Sequence, residues 1–112
     1  MKVFDYSGED FSEVMRFEGW KIGLLKYGPR FKEYTTLERH LETDEAFVLL
    51  DGTATLYEEG VLPCNMERCK VYCIEKGAWH HITVSPDACV LVVENSNTTK
   101  ENTERKCLYA DK

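Results

Sequence analysis

The chain has 112 residues, the size of one domain, and its 43% hydrophobic and 30% charged content is ordinary globular usage. A formal net charge of −6 offers no basic surface, which argues against nucleic acid and anionic membranes as partners. The five cysteines are an odd set and residues 1–6 (MKVFDY) hold no apolar export core, so free thiols in a reducing, cytoplasmic setting are the economical reading.

Residues 1–13 read as an edge strand or a covering arm. Residues 20–27 (WKIGLLKY) read as a strand ended by Gly28-Pro29, and residues 33–40 (EYTTLERH) as a second one with β-branched residues in rough alternation. Residues 45–51 (EAFVLLD) are strongly apolar and stop at Gly52. Residues 53–58 (TATLYE) set Thr53, Thr55 and Tyr57 against Ala54 and Leu56, and Asp51-Gly52 between the two runs predicts a hairpin. Residues 61–65 read as a loop containing Pro63. Residues 68–75 (RCKVYCIE) alternate, with Cys69, Val71 and Cys73 on one face, where the cysteines are expected as small core residues. After the Lys76-Gly77 turn, residues 80–84 (HHITV) form a short strand ended by Ser85-Pro86-Asp87, and residues 88–94 (ACVLVVE) are the most β-prone stretch. The longest apolar runs, residues 46–50 and 88–93, are too short to span a bilayer. From Asn95 onward the chain is polar, expected either to cap the body as a short helical turn or to hang loose. No segment keeps a helical period. About seven to nine short strands at regular spacing predict an all-β domain, a sandwich or a closed barrel.

Three residues draw attention once strands and turns are laid out. His40 ends one strand, Glu45 opens the next after the turn at residues 41–44, and His80 follows the turn at Gly77. A His and a Glu joined by a tight β-turn can lie side by side on neighbouring strands, and a second His from elsewhere can close a site. Two neutral imidazoles and a carboxylate are the donor set used for Fe(II), Zn and related divalent ions, with positions left for substrate. His80 and His81 are neighbours on a strand and must point to opposite faces; the glycine spacing favours His80 as the inward one and leaves His81 on the outer face.

The run Glu38-x-His40-(x4)-Glu45-(x6)-Gly52 resembles the first motif of the cupin superfamily, and Gly77-(x2)-His80 resembles the second. The resemblance covers residues 20 to 95. It implies a single cupin domain over residues 1–112, a jelly-roll β-barrel with little or no helix, with an N-terminal arm (1–19) and a polar tail (96–112). It also implies a divalent metal ion (Mn, Fe, Ni, Zn or Cu) held by His40, Glu45 and His80. The sequence departs from the motifs where Glu38 replaces the first histidine, Glu75 the second-motif proline and Val84 the late asparagine. Glu38 shares a strand face with His40 and either replaces the missing imidazole, points to solvent or faces a charged substrate.

Each sharp reading has a plain one beside it. His40 is otherwise a surface histidine, and Glu45 a charge at a strand entrance held by hydrogen bonds; buried without a partner, it would cost several kcal/mol or take up a proton. The spacing Cys64-(x4)-Cys69-(x3)-Cys73 is not that of a zinc knuckle. Trp79, beside His80, either walls a ligand pocket or makes an outer-face contact. Two functions follow. One is a metal-dependent enzyme acting on a small molecule by isomerase, lyase or oxygenase-like chemistry. The other is a metal-free module that binds a sugar or an organic acid, or acts as a sensor. A weaker third is a redox or metal-sensing role for the thiols. Exposed sheet edges suggest a homodimer through the N-terminal arm or the strand at residues 20–27.

Overall fold

The computed structural model describes residues 1–108. Among these residues ten strands form two five-stranded sheets whose ladders are all antiparallel. The strands are β1 (Phe11–Phe17), β2 (Trp20–Lys26), β3 (Thr36–His40), β4 (Glu45–Asp51), β5 (Ala54–Glu58), β6 (Cys64–Asn65), β7 (Tyr72–Ile74), β8 (His80–Val84), β9 (Cys89–Asn95) and β10 (Thr103–Cys107). One sheet runs β1-β2-β9-β4-β7 and the other β10-β3-β8-β5-β6. Among the described residues the single helical element is a 3-10 turn at Pro29–Phe31. Among the described residues no helix is long and apolar enough to cross a membrane. The molecule is the expected all-β jelly roll.

Consecutive strands β3, β4 and β5 alternate between the sheets. The Asp51-Gly52 pair is therefore not a hairpin, as its residue types suggest, but the corner where the chain crosses from one sheet to the other. Gly52 has φ +70°, and a Cβ there would lie 2.6 Å from Ala88 Cα and 2.7 Å from Ser85 Oγ. Left-handed backbone and a close chain both require glycine at this corner.

The alternation of side chains sorts the interior along the strands. β4 turns Glu45, Phe47 and Leu49 inward, β9 turns Val90, Val92 and Glu94 inward, and β8 turns His80, Ile82 and Val84 inward. The apolar members join Leu25, Leu56 and Phe31 in one core. Each row carries its polar residue at the same end. The barrel is thus dry at one end and polar at the other.

Three segments differ from the sequence reading. The polar tail contains a strand, β10, paired along its length with β3 (Thr103 opposite His40, Cys107 opposite Thr36). Its sequence TERKC is polar on both faces and carries no strand pattern; cross-strand charge holds it, with Arg39 Nε donating to Glu104 at 2.7 Å and Lys106 Nζ to Glu59 at 2.9 Å. Residues 1–13 are split: the edge strand begins at Phe11, so ordered sheet extends on both sides of residues 20–95. The strand read over residues 68–75 shrinks to β7, because the chain leaves the sheet through Cys69, which has φ +64°. Cys69 and Cys73 are exposed rather than core residues, and all five cysteines are free thiols.

Candidate metal centre

Two connections bring the polar ends of the strands together. The turn at residues 75–77 is fixed to the end of β3 by the Gly77 N–H, which donates to the His40 carbonyl at 2.7 Å. Gly77 takes φ +84° to make this turn, a left-handed backbone that favours glycine. Asp44 Oδ1 accepts from the Lys76 N–H at 2.8 Å, and Thr43 Oγ1 accepts from the Asn95 N–H at 3.1 Å. The turn that launches Glu45 is thereby tied to both the β7–β8 turn and the end of β9.

His40, Glu45 and His80 meet inside the barrel, all less than 9% exposed. Glu45 Oε1 lies 2.9 Å from His80 Nε2 and 3.1 Å from His40 Nε2. His40 and Glu45 face each other across the two sheets, not along a hairpin as their spacing suggests. The far nitrogen of each ring is also held: His80 Nδ1 lies 3.1 Å from the Ala78 carbonyl, and His40 Nδ1 lies 3.0 Å from Thr103 Oγ1. A carbonyl only accepts, so His80 carries its proton on Nδ1. In the neutral ring, Nε2 then presents a lone pair to a carboxylate oxygen, an arrangement that needs either a proton or a cation between them.

The spacing suits a cation. Ligands about 2.1 Å from a divalent ion at right angles to one another are separated by about 3.0 Å, close to the two contacts of Glu45. Glu38 sits at the rim of the same group. Its Oε1 is 3.6 Å from His40 Nε2, while Oε2 accepts from Arg105 Nε at 2.8 Å and Arg30 Nη2 at 3.3 Å. Donor atoms of Glu38, His40 and His80 lie within 4.8 Å of one another, as do those of His40, Glu45 and Glu94. Either trio could hold an ion.

Glu94 is the residue that sequence reasoning missed. It stands directly opposite Glu45 in the β4–β9 ladder and is 8% exposed. Burial and the charge of Glu45 push its carboxyl up to about 7. No motif position marks it. The alternation of residues 88–94 does, since the face that carries Val90 and Val92 inward also carries Glu94.

Protonation at the centre is set by a contest of burial and charge. Burial would raise Glu45, but hydrogen bonds from His40 and His80 hold it well below the usual carboxylate range. Burial would lower both imidazoles, and Glu45 raises them above the ordinary histidine value instead. His81 lies on the opposite face of β8, as expected, yet is buried. Tyr34 stacks on it with ring centroids 5.8 Å apart, and its Nε2 lies 3.0 Å from the Glu33 carbonyl. Burial, which that bond only partly offsets, lowers His81.

The centre opens into a cavity of about 950 Å³, within the range of small-molecule sites. Phe47, Ile82 and Val92 form its floor, and Thr98 to Lys100 and Thr103 contribute to its lining. Trp79 does not line it; Arg39 and Lys106 lie over its ring at 4.6 and 4.5 Å.

No family model and no curated protein matches the sequence. Solved structures do match. A cupin-2 domain containing protein from Shewanella frigidimarina superposes with TM-score 0.65 at 19% identity, over 80% of this chain and 84% of that one. An RmlC-like cupin with a double-stranded β-helix fold from Methanocaldococcus jannaschii gives 0.66 at 14%, over 85% and 90%. Pac13 of Streptomyces, a nucleoside dehydratase, gives 0.70 at 3%, over 93% and 85%. At such identities the likeness carries the fold and not the chemistry. The two antiparallel sheets and these superpositions together show that the chain has the jelly-roll fold of these cupin structures.

Proposed function

We propose that the protein binds one divalent metal ion at the polar end of the barrel and, beside it, a small-molecule substrate on which it acts. The observation that carries this reading is the convergence of His40 Nε2, His80 Nε2 and Glu45 Oε1 at 2.9 and 3.1 Å, with the His80 proton already committed to a backbone carbonyl. His40, Glu45 and His80 would be the ligands, with Glu38 as the fourth, its Oε1 3.6 Å from His40 Nε2 while the two arginines hold Oε2. A bound ion would supply Lewis acidity to a carbonyl or enolisable group. The protein contributes the rest. Thr103 and Ala78 hold the two imidazoles in orientation. Phe47, Ile82 and Val92 give the substrate an apolar surface to rest on. The Glu94 carboxyl, buried at the edge of the same group, is placed to hold or release a proton at the substrate.

Metal analysis tests this directly. Purified protein supplemented with Mn, Fe, Ni, Zn or Cu is expected to retain about one ion per chain at pH 8, and His40→Ala and His80→Ala are expected to lose it, because ligation needs all the deprotonated donors. Absence of bound ion in the unmodified protein, or content unchanged in both variants, would leave the metal-free binding module as the better reading.

We propose separately that the protein is a homodimer through the β1 edge. Phe17 and Trp20 are exposed at the β1–β2 turn with ring centroids 6.2 Å apart, and Val3 and Phe4 of the arm are exposed beside no strand partner. An unpaired edge flanked by apolar side chains invites a second copy. Light scattering at micromolar concentration is expected to give twice the chain mass; a strict monomer refutes the dimer.

A further inference from the structure

The cavity is cationic in an acidic protein. Lys21, Arg30, Lys100 and Arg105 line it against Glu38, Glu45 and Glu94, whereas the whole chain has 14 Lys and Arg against 20 Asp and Glu. A divalent ion would add two more positive charges. The cations come from four different elements: Lys21 from β2, Arg30 from the 3-10 turn, Lys100 from the β9–β10 loop and Arg105 from β10. Four cations against three carboxylates leave the lining with a formal excess of one positive charge, the reverse of the chain as a whole, and a cleft of that sign favours an anion.

Two of these groups already show how an anion is held. Arg30 and Arg105 approach Glu38 Oε2 from two sides, at 3.3 and 2.8 Å. A guanidinium has five N–H donors in a planar fork, and Glu38 takes one from each. Both forks therefore keep donors for a second carboxylate. Phe31 lies under Arg30, its ring centroid 4.9 Å from the guanidinium carbon, which restricts where that fork can swing. A neutral polyol closing over this cavity would desolvate the guanidiniums without balancing their charge, at a cost a carboxylate avoids.

We infer that the substrate is a small organic acid whose carboxylate is taken by Arg30 and Arg105 at the mouth, with its reacting end directed at the polar centre. This rests on the small-molecule reading above and separates the organic acid from the neutral sugar. Calorimetric titration with succinate and with its neutral diamide, at constant ionic strength, tests it. Succinate is expected to bind, and the diamide to bind at least about tenfold more weakly. Arg30→Gln/Arg105→Gln is expected to reduce succinate affinity at least about tenfold, read at equal metal loading because the change also frees Glu38 Oε2. Arg105 also ties β10 to Glu38, so the thermal melt of the double variant is measured alongside, and its affinity is read only at temperatures where it is folded. No binding of succinate, equal binding of the diamide, or undiminished binding by the double variant would overturn the inference. So would inorganic phosphate binding more tightly than succinate. Metal content is measured separately, and the titration is repeated on chelated protein. A protein without metal that still takes succinate through the arginines would sink the metal reading and leave the clamp standing.

Discussion

Glu45→Ala is expected to lower stability by about 3–5 kcal/mol at pH 6 and to abolish metal binding. Glu45 is buried, and its charge is matched only from within, by His40 at 3.1 Å and His80 at 2.9 Å. Removing one partner of a buried charge group leaves the others uncompensated, which costs more than the group's net worth when intact. Both imidazoles would fall back to the neutral form, and Glu94, relieved of the neighbouring charge, would ionise more readily. The loss should shrink toward pH 8, where the imidazoles are less charged to begin with. Glu45→Gln keeps the shape and one acceptor, so it separates charge from packing and should cost less. Urea denaturation monitored at both pH values measures all of this. A loss under 1 kcal/mol in Glu45→Ala at pH 6 would show that the histidines do not depend on it.

Chelated protein is expected to lose stability as pH rises from about 5 to 8, while added divalent ion stabilises it increasingly over the same range. His40 and His80 have raised values in the folded state, so their contribution is complete below the ordinary histidine range and fades as pH climbs through the folded values. Glu94 is raised from 4.5 to about 7, so its protonated form favours folding at low pH and that gain disappears between those two values. The Glu94 contribution alone is on the order of 2–3 kcal/mol. Glu45 has the opposite sign: it is depressed, so its contribution is present above 4.5 and is lost on acidification. Maximum stability without metal therefore falls near pH 5 to 6. Metal requires the same imidazoles without protons, so its stabilisation grows with pH. Thermal or chemical melts across this window, with and without chelator, decide the matter. A chelated protein whose stability is flat or rises toward pH 8 would contradict the assigned network.

The barrel and three of its inward polar residues were legible in the sequence because period-two alternation and two glycine turns report directly on strand faces and corners. Glu45 and His80 fall on faces that also carry Phe47 and Ile82, so the pattern places them inside. The partner strand of each was not legible. The type of turn after His40 or at Asp51-Gly52 does not say whether the chain pairs with itself or crosses to the other sheet, because that depends on contacts far along the chain. β10 escaped detection for a different reason: its sequence lacks an apolar face, and what holds it are Glu38, Arg39 and Glu59, residues remote in sequence. Cys69 and Cys73 were misread because alternation was extended through a segment where left-handed backbone at Cys69 ends the pleat.

The crossing of β3, β4 and β5 between the sheets has a kinetic consequence. Neither sheet can be assembled from a contiguous stretch of chain, so closing the barrel must wait for long loops to find their ends, and refolding should take milliseconds to seconds, on the order expected for non-local β topologies. The proposed ligands on β3, β4 and β8 come within reach of one another only when that closure is complete. An ion would then find no grip on the half-formed chain, and its effect would fall on the rate of unfolding, leaving the rate of folding nearly untouched.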